Sequence, residues 1–137
     1  MTSKRQFDDQ ISVSGQIDPA DVAELARNGV TMIINNRPDG EDDGQPLGAE
    51  IEAAAERAGI AYRHVPIARG MGPSDIECMH QAIEAADDGQ VFAFCRSGNR
   101  SSLVSALARR KQGRSVDEVV KCVRNAGADP APIAHLL

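Results

Sequence analysis

One short run carries the chemistry: Cys95-Arg96-Ser97-Gly98-Asn99-Arg100-Ser101. It follows the apolar stretch Val91-Phe92-Ala93-Phe94 and precedes a long helical pattern, so the cysteine stands between a buried strand and a helix N-terminus. Such a junction binds anions. The first N–H groups of a helix lack intrahelical acceptors, and the helix dipole adds about half a positive charge. Gly98 lets the backbone pass close to a bound group. Helix N-termini and nearby cations lower a cysteine pKa from about 8.5 to between about 3.5 and 7.5. Arg96 and Arg100 supply those cations. Cys95 is therefore expected to be a thiolate nucleophile, and Arg96, Ser97, Gly98, Asn99 and Ser101 the cradle that holds an anionic substrate and the charge formed during transfer.

Other reactive side chains are read more plainly. Cys78 and Cys122 fall inside helical patterns with no motif around them and are expected to be structural. Three cysteines at irregular spacing make neither a disulfide framework nor a Cys-x-x-Cys metal site, so no metal or cofactor is expected. Arg37 and Arg69 sit on loops and are candidates for the wall of the substrate pocket. The acidic stretch from Asp39 to Asp43 reads as a solvated loop. His64 is expected to be structural and His80 to lie on a helix surface. The run Arg109-Arg110-Lys111 reads as charge complementing a helix C-terminus.

The elements that must position the loop alternate along the chain. Ile11-Ser12-Val13 reads as a strand, and Asp18-Pro19 opens a helix that Gly29 ends. Val30 to Ile34 is an unbroken apolar and β-branched run, the mark of a strand buried on both faces. The loop from Asn35 to Pro46 leaves its C-terminal end, where α/β proteins place function. Helix 49–58, strand 61–65, a helix opened by the capping box Ser74-Asp75-Ile76-Glu77, strand 91–94, helix 100–112, a helix opened by the capping box at Ser115 and a short final helix complete the order. The expectation is one α/β domain over residues 1–137, with a mostly parallel central sheet flanked by helices. The N-terminal ~8 residues are expected to be flexible.

Composition narrows the partners. The chain has 137 residues and a net charge of −5, which excludes the basic footprint of a nucleic-acid or anionic-membrane binder. No segment is apolar enough for a membrane span or a signal peptide. With reduced thiols, the expected location is the cytoplasm.

The cysteine run resembles the active loop of rhodaneses, and also the Cys-x-x-Gly-x-x-Arg-[Ser/Thr] loop of tyrosine and dual-specificity phosphatases. Together with Ser14-Gly15-Gln16 and Ile34-Asn35-Asn36-Arg37-Pro38-Asp39-Gly40-Glu41, it makes residues 9–112 similar to the phosphatase-like domain that accompanies β-lactamase-like hydrolases. The resemblance implies a protein-tyrosine-phosphatase-like fold, with Arg100 as catalytic partner of Cys95 and Ser101 as a hydrogen-bond donor to the thiolate. It also implies a link to persulfide dioxygenases and sulfide metabolism.

Two chemistries then compete. The phosphatase pattern puts Arg six positions after Cys, where this chain has Ser101, and Arg100 comes one residue early. Phe94 stands where phosphatases have His. No acid follows the strand ending at Pro66, the place where dual-specificity phosphatases keep their Asp, and Asp75 is the nearest. Sulfur transfer needs no general acid. The leading expectation is therefore a sulfurtransferase that passes sulfane sulfur through a Cys95 persulfide to an acceptor thiol or a persulfide dioxygenase. The alternative is a phosphatase working through a Cys95 phosphocysteine. A non-catalytic anion or redox sensor is the second alternative.

Overall fold

The structure, a computed structural model, describes residues 4–68 and 70–137. Arg69, one of the candidate wall residues, lies outside the described residues. The chain folds into a five-stranded sheet of β1 (Arg5–Gln6), β2 (Ile11–Ser14), β3 (Val30–Asn35), β4 (Ala61–His64) and β5 (Gln90–Phe94), in the order β1-β2-β5-β3-β4. Only β1 runs antiparallel to its neighbour; β2, β5, β3 and β4 are parallel. The helices are α1 (Val22–Arg27), α2 (Gly48–Ala58), α3 (Pro73–Ala85), α4 (Asn99–Lys111) and α5 (Val116–Asn125). Two 3-10 turns, Pro19–Asp21 and Ala131–Leu136, supplement them.

Period two on the strands divides the core. On β5, Val91 and Ala93 face one side with α3, α4 and α5, while Phe92 and Phe94 face the other with α1 and α2. Met32 and Ile34 of β3 join the first set, and Val30 and Ile33 the second. This is the expected α/β architecture, a mostly parallel sheet between two helical layers. Its consequence for function is geometric: the four parallel strands end along one edge, and β5, at the centre of that edge, ends at Cys95.

The N-terminus departs from expectation. Residues 5–8, read as flexible, are packed: Arg5 and Gln6 pair with Val13 and Ser12, and Phe7 is buried. Asp8 makes the turn, its Oδ1 accepting from the N–H groups of Gln10 (2.9 Å) and Ile11 (2.8 Å). Its other oxygen takes Arg109 Nε at 2.8 Å, and Arg109 also donates to Gln10 Oε1. Arg109 is therefore not a solvated helix-end charge. It is a buried clamp between the end of α4 and the first hairpin. Two residues of hairpin strand were too short to carry a periodic signal, which is why the sequence concealed them.

Removing one partner of a buried ion pair leaves the other uncompensated. Asp8→Ala should therefore lower stability by about 3 kcal/mol. Urea unfolding would report it as a lower midpoint at unchanged slope.

Candidate active site

The turn from β5 into α4 builds the site. Cys95 is fully buried, and its N–H donates to the Ser14 carbonyl at the end of β2 (3.3 Å). Gly98 is the residue before α4 and adopts φ +97°. That left-handed backbone aims the Gly98 N–H at the Cys95 sulfur, 3.1 Å away. A Cβ on Gly98 would run into the Arg5 guanidinium and come within 3.3 Å of the Ser14 backbone carbon. Arg5, 92 residues away in sequence, donates from Nη2 to the Ser97 carbonyl at 2.6 Å and so clamps the loop from β1. Ser97 Oγ accepts from the Asn99 N–H, and both residues are exposed at the mouth of the loop.

Asn36, just past β3, ties three elements together. Its N–H donates to the Phe94 carbonyl (2.8 Å), its amide to the Val65 carbonyl (3.0 Å), and its Oδ1 accepts from the Ser101 hydroxyl (2.7 Å). The Ser101 hydrogen thus points at Asn36, where the resemblance placed a bond to the thiolate. Phe94, where phosphatases keep His, is an apolar core residue. Asn35 shapes the same turn, accepting the Arg37 N–H and donating to Tyr62.

The acidic stretch is not a free solvated loop. Glu41 grips Arg100 with both oxygens, at 2.7 and 2.8 Å, and its Oε1 also accepts from Arg37 Nε at 2.9 Å. Arg37 is 3% exposed, and its two remaining guanidinium nitrogens donate to Gln16 and Asp42. Asp42 also faces Arg96 at 3.4 Å, and Asp39 caps α2 through the Gly48 N–H. His64 Nε2 donates to the Arg37 carbonyl at 2.9 Å, the structural partner that the sequence did not reveal. Three arginines and two carboxylates therefore meet beside the cysteine loop.

The charges act on one another. Arg100, helped by Arg37, holds the Glu41 carboxyl down at about 2, against the opposing push of burial. A folded value below the ordinary 4.5 means that the clamp stabilises fully above that pH and is lost as the pH falls towards 2. Glu41 in turn raises Arg100, and the charge and hydrogen bonding of Cys95 act in the same direction. Arg100 stands on the first turn of α4, beside the cysteine loop. Burial raises the Cys122 thiol, so Cys122 is a poor rival nucleophile. Asp75 accepts the Gly72 N–H at the start of α3, a helix cap. Among the described residues no cluster of His, Cys, Asp and Glu is arranged to hold a metal.

Residues 4–112 match the family described as the phosphatase-like domain of the β-lactamase hydrolase-like protein. The chain belongs to this family. The β-lactamase hydrolase-like protein of Xylella fastidiosa is 37% identical over 121 residues, which take in 88% of this chain and 28% of that protein. The chain thus spans little more than a quarter of the length of the curated relatives it matches. The crystal structure of a candidate phosphatase from Neisseria meningitidis superposes with a TM-score of 0.79 at 31% identity, covering 96% of this chain and 94% of that one. Tk-PTP in its active form superposes with a TM-score of 0.70 at 23% identity, covering 93% and 87%, a likeness of fold. The fold is that of the tyrosine-phosphatase-like phosphatases.

These findings correct the leading expectation. The family and its structural relatives are of phosphatase type, which overturns the sulfurtransferase reading and the rhodanese-like description of the loop. The error has a physical source. A one-residue shortening was read as moving Arg100 out of reach, whereas Arg100 stands on the first turn of α4 and is held there by Glu41. Sequence reasoning also missed Arg5, Asn36, Glu41 and Asp42. Asn36 and Glu41 lay within the stretch that carries the family resemblance, and all of the last three sit in a loop leaving the C-terminal end of a central strand, but neither signal gave them a role.

Gly98→Ala tests the turn. A left-handed alanine costs about 1–2 kcal/mol. Displacing Arg5 and re-aiming the Gly98 amide should also lower turnover by about 100-fold or more, the scale of losing one anion-stabilising donor. Steady-state kinetics beside a thermal melt would separate the two effects.

Proposed function

We propose that the chain is a cysteine-dependent phosphomonoester hydrolase that works through a Cys95 phosphocysteine. The observation that carries this reading is the Gly98 N–H aimed at the Cys95 sulfur at a helix N-terminus, with Arg100 on the first turn of that helix. Family membership supports it. In this reading the backbone N–H groups of residues 96–101 and the Arg100 fork take the phosphoryl oxygens, the strongest geometry a protein offers that group. The Cys95 thiolate attacks phosphorus, the alcohol leaves, and water then releases inorganic phosphate from the sulfur.

Arg96, exposed on the loop, supplies further positive charge at the rim. The organic part of a small substrate fits the cleft of about 300 Å³ beside Arg100, lined by Ile67, Met71, Leu103, Ile133 and Leu136. Pro132, Ile133, His135 and Leu136 of that cleft lie beyond the stretch that matches the family. No helix among the described residues is long and apolar enough to cross a membrane, and the three cysteines are unpaired. A reducing cytoplasm is the setting that suits a working thiol.

Purified protein should release phosphate from p-nitrophenyl phosphate. Cys95→Ser should abolish release while keeping the fold. Arg100→Lys, which keeps the charge and loses the fork, should lower kcat by about 100-fold or more. Acid-quenched wild type should carry one phosphoryl group, absent from Cys95→Ser. No phosphate release from a folded wild type would defeat the reading.

A further inference from the structure

Gly98 permits the turn of the cysteine loop but does not enforce it, because glycine accepts either sign of φ. We propose that Arg5, on the edge strand β1, is the positioning residue that enforces it: by holding the Ser97 carbonyl it keeps the Gly98 N–H on the Cys95 sulfur. For its effect on turnover this inference rests on the phosphatase reading above.

One planar unit couples the two contacts. The Ser97 carbonyl and the Gly98 N–H belong to the same trans peptide and point in opposite directions. Arg5 Nη2 donates to that carbonyl at 2.6 Å, and the N–H donates to the sulfur at 3.1 Å. The bond on one side therefore sets the direction of the bond on the other.

The competing arrangement is close at hand. Gly98, at φ +97° and ψ −15°, has the dihedrals of the third residue of a type II turn. Turning the Ser97–Gly98 peptide over gives the type I arrangement, with Gly98 at a φ of about −90° and its neighbours hardly moved. The peptides on either side are held by backbone bonds: the Arg96 carbonyl accepts the Gln16 N–H (3.4 Å), and the Gly98 carbonyl accepts the Ser102 N–H (3.0 Å). The Ser97–Gly98 peptide between them is held by side chains instead, Arg5 on its oxygen and Cys95 on its nitrogen. Turned over, it would face the sulfur with the Ser97 oxygen. That oxygen repels a thiolate or a phosphoryl oxygen where the N–H would have stabilised it.

Arg5 is placed for this contact. Strand pairing sets it opposite Val13, next to Ser14, whose carbonyl takes the Cys95 N–H. Its guanidinium end lies between two glycines: a Cβ on Gly98 would collide with it, and a Cβ on Gly127 would touch it. Arg5 Nε is buried without a hydrogen-bond partner, which costs stability. That cost is offset by a charge-assisted bond to the one loop carbonyl whose direction decides where the Gly98 N–H points.

Three variants separate positioning from packing. Arg5→Met keeps the stem and loses the donor, and Arg5→Lys restores a charged donor. Gln6→Ala loosens the same hairpin without touching the loop, since the Gln6 amide donates to the Asp8 and Ile11 carbonyls. On p-nitrophenyl phosphate, Arg5→Met should lower kcat by about 10- to 100-fold, the population shift that follows from losing one hydrogen bond to a charged group. Tungstate should inhibit this variant correspondingly less. Arg5→Lys should recover most of the loss, and Gln6→Ala should match wild type. Hydrogen exchange at the Gly98 amide, followed by nitrogen-15 NMR, should quicken in Arg5→Met and not in Gln6→Ala. A folded Arg5→Met with wild-type kcat and exchange, or an equal loss in Gln6→Ala, would overturn the positioning role while the phosphatase reading stands. Wild-type crystals need no variant: a Ser97–Gly98 peptide found turned over with Arg5 still in place would overturn the role as well. A wild type that cleaves no ester would overturn the phosphatase reading, and the exchange and crystal measurements would still decide whether Arg5 sets the peptide.

Discussion

The left-handed backbone at Gly98 lets the chain leave β5, place an amide 3.1 Å from the Cys95 sulfur and enter α4 within four residues. Any other residue there would strain the backbone and displace Arg5. The surrounding elements hold that turn from three directions: β2 through the Ser14 carbonyl, β1 through Arg5, and the end of β3 through Asn36 and Ser101. The buried hairpin clamp of Asp8 and Arg109 matters to function for the same reason, since it fixes the edge strand from which Arg5 reaches the loop.

Charge balance is the second constraint. Bringing Arg37, Arg96 and Arg100 to one side of a thiol requires anions, and a buried guanidinium such as that of Arg37 needs every donor matched. The chain supplies Glu41 and Asp42 from the loop leaving β3. The same ion pairs hold the arginines in place beside the cysteine loop, where a phosphate would meet them. Structural stability and substrate recognition thus draw on one set of ion pairs.

Much of this was legible in the sequence. Buried β-branched strands, capping boxes and terminal glycines have local signatures, so the alternation of elements and the parallel sheet followed from periodicity. The cysteine loop was legible because strand, glycine and helix start are adjacent in the chain. What escaped was long-range. Arg5 meets Ser97 across 92 residues, and Arg100 meets Glu41 across 59. No local pattern announces such pairs, so an acidic run next to an arginine read as a solvated loop. The choice of chemistry failed for the same reason. Spacing along the chain was taken for distance in space, and the carboxylate that holds Arg100 comes from a different loop, the one after β3.

The most direct test of the account is a crystal structure of the protein with tungstate, a phosphate mimic. The account predicts the oxyanion against the Cys95 sulfur, ringed by the N–H groups of residues 96–101 and forked by Arg100. A structure in which the anion settles elsewhere and the loop around Gly98 stays empty would contradict it.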